Sequence, residues 1–92
     1  MMNQEIYTVG LYVNNTQETR ELLDIGLKLY YTDVDARKLW TRASFTGALA
    51  RILHSEIMRH YIEEKIDVDL ECIATIENLR VVVINEFNKF KS

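Results

Sequence analysis

Three consecutive residues, His54, Ser55 and Glu56, supply the base, nucleophile and carboxylate types of a hydrolytic triad. Neighbours along a helix point about 100° apart, so these three cannot hydrogen-bond in series as a triad must. Glu56, His60 and Glu64 have the i, i+4, i+8 spacing that lines three metal ligands along one helix face. A site of that kind draws ligands from more than one element, and no second set of carboxylate and histidine stands elsewhere in the chain. Cys72 is the single cysteine and cannot close an internal disulfide. It sits in an apolar run with no histidine or basic cluster beside it, which reads as a small buried hydrophobe. Gly10, Gly26 and Gly47 are isolated, so no glycine-rich phosphate loop is present. These patterns predict no catalytic site, no cofactor and no metal, and therefore a protein that is not an enzyme.

Charge is the other chemistry on offer. The net charge of -3 hides a basic middle, because residues 36 to 62 hold Arg37, Lys38, Arg42, Arg51 and Arg59 against one acid, Glu56. The segment EEKIDVDLE carries Glu63, Glu64, Asp67, Asp69 and Glu71 within nine residues. Such a cluster is either a solvated helix end and loop or a surface that engages a basic partner.

The elements that must position these groups follow from periodicity. Residues 6 to 13, IYTVGLYV, are β-branched and aromatic and end at Asn14-Asn15, which predicts a strand and a turn. A helix follows, capped by Asn15 or Thr16 with Glu18 completing a capping box, and its apolar side is Thr19, Leu22, Leu23, Gly26, Leu29 and Tyr30. Gly26 on that side predicts a close approach by a neighbour. Thr32 and Asp35 open a short helix from about 33 to 43, with Ala36, Leu39, Trp40 and Ala43 as its apolar stripe. Ser44 caps a third helix running to about Ile66. Its first half turns Phe45, Ala48, Leu49, Ile52 and Leu53 to one side, and its second half turns Ile57, Met58, Tyr61 and Ile62 to nearly the opposite side. That pattern predicts either a kink near His54 to Glu56 or a second packing body, readily another copy of the chain. LECIATI at 70 to 76 and LRVVVINEF at 79 to 87 read as two strands joined at Glu77-Asn78, followed by a frayed tail from Asn88 with Phe90 unassigned.

The resulting expectation is one α+β domain spanning residues 1–92, ordered β-α-α-α-β-β, with a three-stranded sheet and helices mainly on one face. No aliphatic run approaches the roughly 20 residues of a membrane span, and MMNQEIYTVG is not a signal peptide, so the chain is expected in the cytoplasm.

Two functional readings follow. The favoured one is a regulatory or inhibitory binding protein that acts through protein contacts. It presents the acidic residues Glu63, Glu64, Asp67, Asp69 and Glu71 to a nucleic-acid-handling partner, and forms a homodimer through Ile57, Met58, Tyr61 and Ile62. The alternative is a DNA-binding regulator, since the helix, turn, helix and closing hairpin are similar in order to a winged helix, with Arg37, Lys38, Arg42 and Arg51 on phosphates. The acidic hairpin turn and a pI of about 5.3 weigh against it. A ribbon-helix-helix arrangement is less favoured still, because IYTVGLYV carries no charge to meet DNA.

Overall fold

The computed structural model describes residues 3–91, apart from the side chains of Val34, Ala36, Arg37, Phe90 and Lys91. These residues form six α-helices: α1 (Gln4–Asn15), α2 (Gln17–Thr32), α3 (Val34–Leu39), α4 (Arg42–Ile62), α5 (Val68–Ile73) and α6 (Ile76–Lys91). No strand occurs among them. The expected α+β sheet is therefore replaced by an all-α bundle, and the hairpin that would have served as a wing does not exist.

All three segments expected as strands are helical, LECIATI falling on α5 and the start of α6, and the two longer ones share an explanation. A short continuous apolar run fits a buried strand and a buried helix equally well, and β-branched residues tip the reading to strand by at most about 1 kcal/mol. Caps and tertiary burial decide otherwise. The Asn3 side chain accepts the Glu5 N–H at 2.7 Å and starts α1, which buries Val9 and Val13 one turn apart. The Thr75 hydroxyl accepts the Asn78 N–H at 3.1 Å, so Glu77-Asn78 is the first turn of α6 and not a hairpin. Leu79, Val82, Val83 and Phe87 then recur at i, i+3, i+4 and i+8 and are all buried. Helix α6 continues through Lys91, where a frayed tail was expected. Cys72 lies on the short α5 and is exposed, not buried.

Helix α2 forms where expected. The capping box does not, for Thr16 is the N-cap and its side chain makes no cap bond. The Thr19 hydroxyl instead donates to the carbonyls of Val13 and Thr16, at 2.9 and 3.1 Å, tying α2 back to the end of α1. The third helix begins earlier than expected, at Arg42, because the Thr41 hydroxyl accepts the Ser44 N–H at 3.0 Å. The short helix before it stops at Leu39, which is exposed, as is Trp40.

Helix α4 is continuous across His54 to Glu56, where a kink was one of the two alternatives expected. Its buried stripe is Thr46, Leu49, Ala50, Leu53, Ile57 and His60, a single face with normal helical spacing. Two of those positions are polar, which is why the hydrophobic pattern alone looked two-sided. Helices α2, α5 and α6 pack on α4, α6 most extensively, and α1 closes the bundle against α2, α5 and α6.

The pairing of α2 with α4 is antiparallel. Tyr30 meets Phe45 with ring centroids 4.9 Å apart, and Gly26 lies against Leu49. Phe87 joins the same end, 5.3 Å from Tyr30 and 5.7 Å from Tyr31, and the Arg42 guanidinium lies 5.0 Å from the centre of the Phe87 ring.

A Cβ at Gly26 would lie 2.9 Å from both Leu49 methyl carbons, whereas one at Gly47 would meet nothing within 4 Å. Gly47→Ala should therefore gain the ordinary helix benefit of roughly 0.5–1 kcal/mol. Gly26→Ala should lose about 1 kcal/mol net, since overpacking a buried leucine outweighs that benefit. Urea unfolding of both variants checks this, and equal stabilisation by the two would show the α2–α4 seam to be slack.

Candidate functional site

Helix α4 sets Glu56 and His60 one turn apart, and α1 brings Tyr12 to the same place from 48 residues away. His60 is 2% exposed. The Tyr12 hydroxyl is hydrogen-bonded to His60 Nδ1, and the two rings meet edge to face. Burial pushes the Tyr12 phenol above its ordinary value, so at neutral pH it carries its proton and donates it to Nδ1. The other ring nitrogen, Nε2, faces Glu56. It lies 3.2 Å from Glu56 Oε1, an electrostatic contact off the geometry of a hydrogen bond.

The network continues outward through Arg59, which bonds both oxygens of Glu56 and, at 2.8 and 3.1 Å, both oxygens of Glu63. The hydrogen bond from Arg59 holds the Glu56 carboxyl below its usual range. Lys65 lies 3.1 Å from Glu63 and, with Arg59, keeps that carboxyl low as well. A phenol pushed up is a weaker acid, and a carboxyl pushed down is a weaker base in its ionised form. This chain of contacts ties α1 to α4.

Tyr12 also forms part of the wall of an open cleft of about 630 Å³ between α1 and α5, with Thr8, Lys65, Ile66, Asp69 and Leu70. The acidic segment turns the corner beside it. Helix α4 ends in a Schellman motif: the Lys65 N–H bonds the His60 carbonyl at 2.8 Å and the Glu64 N–H bonds the Tyr61 carbonyl at 3.0 Å. Glu64 occupies the left-handed position of that motif with φ 60°, and it is the one non-glycine residue with positive φ among those described. Asp67 caps α5, its carboxylate accepting the Leu70 N–H at 2.9 Å. Glu63 and Asp67 thus have structural partners, while Glu64 and Asp69 are exposed and Glu71 is half-buried.

Of the four residues expected at a dimer contact, Met58, Tyr61 and Ile62 share one face of α4 at i, i+3 and i+4, and Ile57 does not lie on it. Ile57 is in the core, Met58 and Tyr61 are half-buried, and Ile62 is 74% exposed at the end of α4. The basic residues are dispersed. Arg42 and Arg51 stand nine positions apart on α4, two and a half turns, and so project from opposite sides of it. Arg42 donates to Asn88 at 2.9 Å, Lys38 and Arg51 are exposed, and the Arg37 side chain lies outside those described. Glu64 falls beyond the end of α4, so Glu56, His60 and Glu64 do not continue one helix face, and among the described residues no three potential ligands gather to hold a metal. Nor is any helix among them long and apolar enough to cross a membrane. No family model, curated protein or solved structure matches the chain.

The Tyr12–His60 pair escaped the sequence reading because Tyr12 was placed on a strand and His60 was weighed as a metal ligand with Glu56 and Glu64. The available signal was the i, i+4 relation of Glu56 to His60 on a helix with no other buried polar tip except Thr46. Tyr12→Phe should destabilise the protein by about 1–3 kcal/mol, because it leaves Nδ1 buried without a donor. Acid unfolding tests the outer half of the network. A carboxyl whose folded pKa is lowered contributes stability above its ordinary value of about 4.3, and that contribution disappears as pH falls through the folded value. Thermal unfolding of Glu56→Gln should show a lower melting temperature at neutral pH and a shallower decline than the parent through that acid range.

Proposed function

We propose that this chain is a non-enzymatic regulatory or inhibitory protein of the cytoplasm. It binds another protein through the acidic corner between α4 and α5, and the partner offers a basic surface of the kind that handles nucleic acid. The observation that carries this reading is Glu64 at φ 60°. The left-handed conformation costs a residue with a Cβ roughly 1–2 kcal/mol, and the C′ position of a Schellman motif is where glycine is most at ease. A carboxylate held there puts charge ahead of stability, and strain of this kind gathers at functional sites.

The surroundings support the same reading. Ile62 and Val68 are exposed on either side of the corner, so apolar side chains stand among exposed acids, as at a protein interface with a charged rim. Acids with no structural duty, Glu64 and Asp69 foremost, would steer a basic partner into the encounter. The exposed thiol of Cys72 suits a reducing compartment.

Stability and binding should separate at this position. Glu64→Gly is expected to stabilise the fold by about 0.5–1 kcal/mol, relieving the strain less the entropy glycine adds to the unfolded chain. The same substitution should weaken capture of a partner from native lysate, as should Glu64→Gln, Asp69→Asn and added salt. If all three variants retain the same captured protein at undiminished level, the corner is not the contact surface.

A further inference from the structure

The molecule measures 39 × 30 × 19 Å, and its short axis is about two helix diameters, so its broad faces are single helix layers. One of these faces is built by α2 and α4. The meeting of Gly26 with Leu49 and of Tyr30 with Phe45 fixes their antiparallel register, which sets Leu22 level with Ile52 and Leu29 level with Phe45 to Ala48. Along the outer side of that seam Ile25 is 65% exposed, Ile52 50% and Leu29 48%, with Leu22 and Ala48 half-buried between them. An antiparallel helix pair with an apolar outer stripe is half of a four-helix bundle.

The charges beside the stripe indicate what completes it. Glu18 and Glu21 are exposed on the N-terminal half of α2, and Arg51 is exposed at the middle of α4. The antiparallel register sets Glu21 and Arg51 within one turn of each other along the pair, with the acids on one helix and the arginine on the other. A patch that carries both halves of a complementary charge set matches itself when rotated by a twofold, and a heterologous partner would have no need of both.

We infer that the α2–α4 face binds a second copy of this chain, about a twofold axis parallel to the helices that lays α2 of each protomer over α4 of the other. In that arrangement Ile25, Leu29 and Ile52 of the two copies close a shared apolar layer. Glu21 of each protomer then lies within reach of Arg51 of its partner. The contact is separate from the acidic corner, and neither depends on the other.

Sedimentation equilibrium at high micromolar concentration should give twice the 10.8 kDa chain mass. Ile25→Glu and Ile52→Asp should each give a monomer with unchanged helical circular dichroism and melting behaviour at low concentration, since both positions are exposed in the single chain. Glu21→Arg and Arg51→Glu should each raise the dissociation constant at least tenfold, and the double exchange should restore it. Lysate capture by the acidic corner should survive Ile52→Asp, which keeps the two surfaces distinguishable. A parent protein that stays monomeric overturns the inference. So does a dimer that persists in the Ile25 and Ile52 variants, or one that the double charge exchange fails to restore.

Discussion

His60 is buried on the same stripe of α4 as Leu53 and Ile57, and a buried imidazole must find a partner for each ring nitrogen. Tyr12 serves one and the Glu56 carboxylate faces the other. Apolar contacts between α1 and the bundle could be made in neighbouring registers, but a directional bond from one phenol to one ring nitrogen is made in only one. The opposite end of the bundle is held differently, by Tyr30, Tyr31, Phe45 and Phe87, whose rings meet edge to face except for the tilted Tyr30–Phe45 pair. One end thus supplies bulk burial and the other supplies register. Helix α4 runs between them, and its buried stripe is what α2, α5 and α6 are built on.

The same helix end joins that internal lock to the exposed corner. His60 gives its carbonyl to the Schellman turn, Glu56 shares Arg59 with Glu63, and Lys65 completes the chain of charges. Moving Glu64 means moving the last turn of α4, and that turn is anchored in the core. A binding surface presented in this way arrives ordered, so little conformational freedom is lost when a partner docks.

How much of this could be read in advance depended on where polar residues fell. Helix α2 was legible because Gln17, Glu21, Asp24 and Lys28 mark a solvent side opposite Leu23 and Gly26, though Leu27 is buried in place of the expected Leu29, which is 48% exposed. Helices α1 and α6 were not, since IYTVGLYV and VVVI offer no polar interruption to separate a period of 2 from one of 3.6. In α4 the difficulty was the reverse: Thr46 and His60 interrupt a stripe that is in fact continuous. The acidic segment was legible as a cluster, but its division into structural members, Glu63 and Asp67, and exposed ones, Glu64 and Asp69, rests on caps and pairings that only the fold creates. Ile57 was read as surface because its burial depends on α4 being flanked on both sides.

Helices α1 and α6 lie side by side, with Gly10 against Val82 and Asn14 reaching Glu86 across 72 positions of sequence. Synthesis runs in one direction, at about 5–20 residues per second, so Val9 and Val13 leave the ribosome several seconds before the helix that helps to cover them. Throughout that interval the nascent chain carries an apolar ridge with no native neighbour on its α6 side. The middle helices can pair as they emerge, but the bundle closes only after residues 76–91 are free. Any slowing of synthesis before Ile76 lengthens that exposure.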